Sequence, residues 1–225
     1  MQVVKKSLTM FFLGFPLIII SLVAFIGIST TNIGMLWLTA GHALLVPIVV
    51  FAFHLIGSIG GAFTQVPTND VSQLVPSAMV SNPYTTVLPS WWIAHLVFFC
   101  SFIITNAVNV YNMDPVLDST NYQYKVNNRK SRATMIIVVA SLVAVSFVAL
   151  RCYATGAETA LGVFVGVSVF GFLGYFWSAA ASGGIGLDGT SARNADIFGV
   201  VNQMVATSDK DVTVCAPSKT PSATN

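Results

Sequence analysis

Charged residues are scarce in this chain. Lys, Arg, Asp and Glu make up 8 % of its 225 residues, whereas an average soluble domain contains about 25 %. The chain is 55 % hydrophobic and its mean hydropathy is +0.77, which excludes an ordinary soluble domain and predicts an integral membrane protein. A net charge of +2 is too small to indicate nucleic-acid binding.

Cysteine and the common catalytic motifs are also nearly absent. The three cysteines, Cys100, Cys152 and Cys215, lack metal-type spacing and are predicted to be small buried thiols. The sequence contains no glycine-rich phosphate loop, zinc motif or nucleophile elbow. We therefore predict no catalytic residue, no metal site and no cofactor.

Long apolar runs are what the chain has instead. A helix that rises about 1.5 Å per residue needs about 20 residues to cross the hydrocarbon core of a bilayer. Five runs approach or exceed this length and predict an all-α bundle of about five transmembrane helices, at 7–29, 36–60, 91–111, 134–153 and 157–181. The first run is too long for a secretory signal and lacks a small-residue cleavage site, so we expect it to be retained as one arm of a hairpin spanning 1–60.

The third run, WWIAHLVFFCSFIITNAVNVY, is predicted to be the central helix. Interfacial aromatic residues stand at both of its ends, and it carries no charge. At helical spacing His95 and Asn106 lie on one stripe, with Asn109 near its edge. Unpaired polar groups are costly in hydrocarbon, so this stripe is predicted to face protein or an enclosed cavity.

The segments outside the runs have distinct compositions. Residues 61–90 contain four prolines and predict an extended surface loop. Residues 182–225 form a polar carboxyl-terminal tail, whose last part, 207–225, is typical of a disordered terminus. Residues 112–133 are predicted to be a polar loop with the basic cluster of the chain: Lys125, Arg129, Lys130 and Arg132.

The distribution of basic residues predicts an orientation. In a five-span topology, seven Lys and Arg lie on the side of the basic loop and the tail, and three lie on the other side. The positive-inside rule then places the tail inside and the amino terminus outside. Lys5 and Lys6 argue for the opposite orientation.

Small residues in the fifth run predict close helix packing. Gly162 and Gly166 form a GxxxG pair, which lets another helix approach closely. Two partners remain open: the second span of the same chain, through Gly57 and Gly61, or a second copy of the protein.

Titratable groups near the membrane suggest two alternatives to a purely structural role. His54 and His95 are predicted to lie at similar depth on neighbouring antiparallel helices, where they could ligate a b-type haem, with His42 alone in the other leaflet. A channel or carrier is a third hypothesis, although the middles of the runs lack Asp, Glu, Lys and Arg.

Arg151 is expected in a surface-level contact with Glu158 or a lipid headgroup.

The segment PSWWIAHLVFFCSFIITNAVNVYN, followed by NNRKSR and another span, resembles a group of viral proteins. It is similar to multi-pass membrane and minor capsid-associated proteins of large icosahedral DNA viruses of algae and protists, over residues 89–150. The resemblance implies a location in the membrane beneath a capsid and transfers no functional residues.

The sequence therefore predicts a structural membrane protein of a large assembly and not an enzyme. The expected partners are the lipid bilayer and other proteins of the assembly, without nucleic acid. The expected location is a membrane, in particular the internal membrane of a virion, with the tail as an attachment device. A subunit of a membrane redox complex and a channel or carrier remain the alternatives.

Overall fold

The described residues form a bundle of six α-helical segments. The bundle is seen in a computed structural model that describes residues 2–29, 31–60, 89–112, 122–155 and 160–184. The side chains of residues 2–13, 54, 57–60, 122, 125, 154–155 and 182–184 are outside this description. The helices are α1 (Gln2–Ser29), α2 (Ile33–Ala40), α3 (Val46–Gly60), α4 (Trp91–Asn112), α5 (Tyr122–Leu150) and α6 (Ala160–Gly184).

The predicted all-α membrane architecture is confirmed. Four described segments are long and apolar enough to cross a membrane: Ile33–Phe53, Trp91–Asn112, Val126–Tyr153 and Ala160–Ala181. Gly14–Ser29 is a shorter apolar helix than these four, and with it the molecule fits a bundle of about five helices. The predicted loop at 61–90 and the tail from residue 185 onward lie almost wholly outside the described residues.

Helix α4 occupies the centre, and its neighbours alternate in direction around it. It runs parallel to α6, because Ile93 lies beside Gly166 and Phe98 beside Gly174. It runs antiparallel to α5, where Trp92 meets Phe147 near one end and Tyr111 meets Lys130 near the other. The side chains of α4 supply most of the core, including Trp92, Ile93, Leu96, Phe98 and Phe102.

A tight turn joins α1 to α2. Its backbone hydrogen bonds run from Asn32 N–H to Gly27 O (2.9 Å) and from Thr31 N–H to Ile28 O (3.3 Å), the pattern of a Schellman motif. Thr31 takes the left-handed conformation that this motif requires, with φ of 51°. Asn32 then caps α2, since its Oδ1 accepts from the N–H groups of Gly34 and Met35. The antiparallel hairpin follows from this turn.

The second span is continuous but contains a π-helical turn, Gly41–Leu45, between α2 and α3. Pro47 follows the turn and has no N–H with which to donate an ordinary helical hydrogen bond. The chain widens instead, and Val46 N–H donates five residues back to the Gly41 carbonyl. The turn carries His42 into the bundle.

The predicted basic loop at 112–133 is wrong for most of its length. Helix α5 begins at Tyr122, so Lys125, Arg129, Lys130 and Arg132 lie on its first turns. Residues 122–133 contain no glycine or proline and include several good helix formers, so the helix of the span extends through them. Helix α6 likewise continues to Gly184, three residues into the predicted tail.

Candidate functional site

The candidate site is built on the first turns of α4. Ser90 precedes the helix, and its Oγ accepts from Ile93 N–H at 3.3 Å while its carbonyl accepts from Ala94 N–H. This cap fixes the start of the helix, so that Trp91, Trp92 and His95 come on its first two turns.

A histidine pair lies inside the bundle. The Nδ1 atoms of His42 and His95 are 3.0 Å apart, and the exposed fractions of the two side chains are 1 % and 4 %. A hydrogen bond between two Nδ1 atoms requires one ring to carry a proton there and the other to offer a lone pair. The rings therefore hold complementary states at this position, and two fully protonated imidazolium rings are incompatible with the contact.

Aromatic rings surround the pair. Trp91 stacks on His95 with centroids 5.8 Å apart, and Phe98 presents its edge to His42 at 5.0 Å. Phe99 adds a tilted contact to His42 at 6.0 Å. His42 Nε2 is buried and finds no hydrogen-bond partner among the side chains and backbone that the structure describes. The rings packed against the pair are therefore those of Trp91, Phe98 and Phe99.

The structure corrects the predicted depth of the histidines. His42 was expected alone in the other leaflet, but it lies level with His95. His54 is twelve residues further along the same span, so its backbone lies roughly 18 Å along the helix axis from His42. Helix α4 begins only four residues before His95, so the second span extends well beyond it. The prediction of histidine depth was wrong because it did not include the π-helical turn in the second span or the offset of that span along α4.

This arrangement does not fit a haem between His54 and His95. Axial histidines approach the iron from opposite faces of a porphyrin. His95 instead contacts His42, and the backbone of His54 lies roughly 18 Å along the helix axis from His42, too far for the two histidines to share one iron. Among the described residues, no group of three His, Cys, Asp or Glu side chains could hold a metal ion.

The remaining residues of the predicted polar stripe point inward to different degrees. Asn106 is buried and Asn109 is half-buried. The stripe that begins at His95 thus continues along the protein-facing side of α4.

The basic end of α5 is a folded surface rather than a loop. Arg129 is buried, and the ammonium of Lys130 lies 5.3 Å from the ring centroid of Tyr111. Arg132 donates from Nε to Asn128 Oδ1 at 3.1 Å, one turn earlier on the same helix. The three residues point in different directions around the helix and so have different neighbours.

Arg151 lies at the other end of α5, in a second π-helical turn, Arg151–Thr155. Its exposed fraction is 1 %, and its guanidinium carbon is 4.8 Å from the ring centroid of Trp92. Arg151 is therefore buried inside the protein and is not open to a lipid headgroup, contrary to that part of the prediction. Such a cation–π contact is stabilising, and more so away from water. Glu158 lies outside the described residues.

The small residues of α6 pack on α4. A Cβ at Gly166 would lie 2.5 Å from Ile93 Cγ2, and Gly162 is buried on the same helix. Of the partners left open for this pair, the second span is not the neighbour at Gly166, which faces Ile93 of α4. Gly57 lies in α3, without a described side-chain environment, and Gly61 is outside the described residues.

The second span contacts α6 through tryptophans. Trp37 and Trp177 stack with centroids 4.3 Å apart. Each indole N–H donates to the backbone carbonyl of the other residue, at 3.1 and 2.9 Å. Sequence reasoning missed this reciprocal pair and the His42–His95 pair, because both join residues far apart in the chain. The one available signal for His42 was its position five residues before a proline within a span.

Comparison with known proteins does not identify a relative of this chain. No family model, curated protein or solved structure matches the chain.

Proposed function

We propose that the protein is a structural multi-pass membrane protein of a large assembly. The observation that carries this proposal is the exposure of α5. Only 6 % of the apolar window in Val126–Tyr153 is buried inside the molecule, compared with 61 % for Trp91–Asn112. A long helix with one main helical neighbour, α4, offers a wide apolar face for contact with another protein within the membrane.

The length of α5 supports the same role. Its 29 residues reach roughly 43 Å, longer than the roughly 30 Å hydrocarbon core. The excess is at the amino-terminal end, where the basic residues lie. An ordered basic helix end that projects from the membrane is suited to contact with a layer of protein above it.

More specifically, we propose a virion component that links an internal membrane to the capsid shell. This part of the proposal depends on the resemblance of residues 89–150 and on the polar composition of the tail. The carboxyl end of α6, from which the tail continues in sequence, lies on the side of the basic end of α5, so the tail would supply a second extension there. With two extensions on one membrane face, binding of the first would raise the effective concentration of the second near the same shell and so strengthen attachment.

The alternatives have less support. A redox subunit with a haem between His54 and His95 needs these side chains at one depth, and His95 instead meets His42. A purified sample with a haem absorption band that is lost in His95→Ala would revive that hypothesis. A channel or carrier would need a polar path through the bundle, and ion flux in liposomes tests it directly.

Photo-crosslinking at the exposed face of α5 tests the structural role. Leu142 is 60 % exposed and lies outside the grooves beside α4. A photoreactive amino acid at position 142 is expected to capture another protein of the native membrane or particle. The matched control is position 110 on α4, where Val110 is fully buried and a cross-link would form only within the chain. Capture of lipid alone at position 142 would contradict the proposal.

Deletion of residues 207–225 tests attachment by the tail. The truncated protein retains every described helix, so its membrane insertion is expected to be unchanged. Its recovery with the assembled particle is expected to fall. Unchanged incorporation and unchanged particle yield would refute the attachment role, whatever the result at position 142.

A further inference from the structure

A groove between α4 and α5 has the form of a lipid site. Its volume is about 560 Å³, within the usual range for small-molecule sites. Phe99, Cys100 and Ile103 of α4 form one wall. Apolar side chains of α5, from Met135 to Val143, form the other wall.

The groove has one charged residue, and this residue is at its end. Arg132 lies one turn before Met135, and the apolar wall continues to Val143. The twelve residues from Arg132 to Val143 span roughly 17 Å of helix, close to the depth of one leaflet of a roughly 30 Å core. The groove therefore has a positive charge at headgroup level and an apolar interior about one leaflet long.

The charge at this end calls for an anion from outside the described helices. Residues 2–29, 31–60, 89–112, 122–155 and 160–184 contain no Asp or Glu. Arg132 donates its Nε–H to Asn128 Oδ1, and its guanidinium carries four further N–H donors. Arginine presents these donors in a planar fork that matches phosphate oxygens.

We propose that this groove binds one acyl chain of an anionic phospholipid, whose phosphate is held by Arg132. Lys130 and Arg129 add positive potential nearby, but neither lines the groove. A neutral lipid would fill the same channel without the charge complementarity. The inference does not depend on the proposed role in an assembly, because it concerns the contact between the bundle and its own bilayer.

Native mass spectrometry of the full-length protein, with added phosphatidylglycerol or phosphatidylcholine of equal chain length, tests the site. The wild-type protein is expected to retain one phosphatidylglycerol in preference to phosphatidylcholine. Arg132→Gln is expected to weaken this binding about fivefold, the effect of one basic residue at an anionic surface. Lys130→Gln is the matched control, since it removes the same charge two positions earlier outside the groove, and it should reduce binding less.

A second variant fills the groove and leaves the charge in place. Val139 lines the groove and is 49 % exposed, so Val139→Trp can be accommodated without displacing a buried side chain. It is expected to lower retention of phosphatidylglycerol while Arg132 is intact, which keeps the proposal testable if Arg132→Gln fails to fold.

Three results would overturn the proposal. Equal retention of the two lipids by the wild-type protein would indicate a non-specific lipid shell. Unchanged phosphatidylglycerol binding in both Arg132→Gln and Val139→Trp would exclude this groove. Full displacement of the lipid by millimolar inorganic phosphate, with no effect of Val139→Trp, would indicate a site for free phosphate instead.

Discussion

Buried imidazole rings impose a pairing requirement at the scale of single residues. The contact between His42 and His95 requires a donor on one Nδ1 and an acceptor on the other. In an apolar surrounding each ring depends on its partner, because removing one leaves a buried polar group without a hydrogen bond. The pair is therefore one of the contacts that hold the second span against α4.

Replacing one histidine should cost more than replacing both. His42→Phe is expected to destabilise the bundle by about 1–3 kcal/mol, since it leaves His95 Nδ1 unsatisfied. The double variant His42→Phe/His95→Phe should be less destabilised than the sum of the single variants. Thermal unfolding of the single and double variants in detergent measures the coupling between the rings as a double-mutant cycle, with His54→Phe as a control outside the pair. Additive effects would show that the rings are not coupled.

A substitution at Thr31 is expected to stabilise the protein, in contrast to the histidine variants. A β-branched residue at φ of 51° is strained, and the left-handed region costs an L-residue about 1–2 kcal/mol. Thr31→Gly should therefore stabilise the hairpin, by about 1 kcal/mol after the larger entropy loss of glycine is deducted. The control is Thr39→Gly within α2, which should destabilise by a similar amount. A lower melting temperature for Thr31→Gly would contradict the expectation.

At the scale of elements, the contact of α4 with α6 depends on glycines in α6, which have no side chain to separate the two backbones. A Cβ at Gly174 would lie 2.6 Å from the Phe98 carbonyl oxygen and 2.9 Å from Ser101 Cβ. Close backbone approach is the main source of attraction between helices in lipid. It also lets Ser101 Oγ donate to the Gly171 carbonyl at 2.5 Å.

Two glycines on α6 give a matched test of this packing. Gly174→Ala is expected to cost about 1–3 kcal/mol, because backbone atoms of α4 must move to admit the methyl group. Gly171→Ala should be neutral or stabilising, since its Cβ would meet Val97 Cγ1 at an ordinary 3.8 Å and alanine favours the helix. Unfolding of the two variants in the same detergent compares them. Equal losses would show that α4 and α6 are not held this closely.

At the scale of the whole molecule, alternation of the spans places the α1–α2 turn, the amino-terminal end of α5 and the carboxyl end of α6 on one side. This side carries seven of the ten basic residues in the five-span topology. The positive-inside rule predicts that it is the cytoplasmic or inner side.

Thiol labelling can establish the orientation. In a variant without the native cysteines, Thr31→Cys and Asn112→Cys are both exposed at helix ends and should behave alike. Neither is expected to react with a membrane-impermeant reagent in intact cells, and both should react after permeabilisation. A cysteine at position 2, on the other side, is the control and should react in intact cells. Labelling of Thr31→Cys from outside would reverse the orientation.

The sequence by itself determined the class of fold. Long uncharged apolar runs allow few structures except helices in a bilayer, because each backbone polar group must then be paired within its own segment. This local requirement explains why α4 and α6 could be predicted within a few residues. It also explains why the extension of α5 was missed, since hydropathy marks where a helix leaves the hydrocarbon and not where it ends.

Only the tertiary structure decided which residues meet. The offset of the second span against α4 placed His42, not His54, beside His95, and it brought Trp37 to Trp177. The same packing covered Arg151 with Trp92 and directed the glycines of α6 toward α4. Helix offset and rotation depend on the summed close contacts of many side chains, which residue spacing along one helix does not contain.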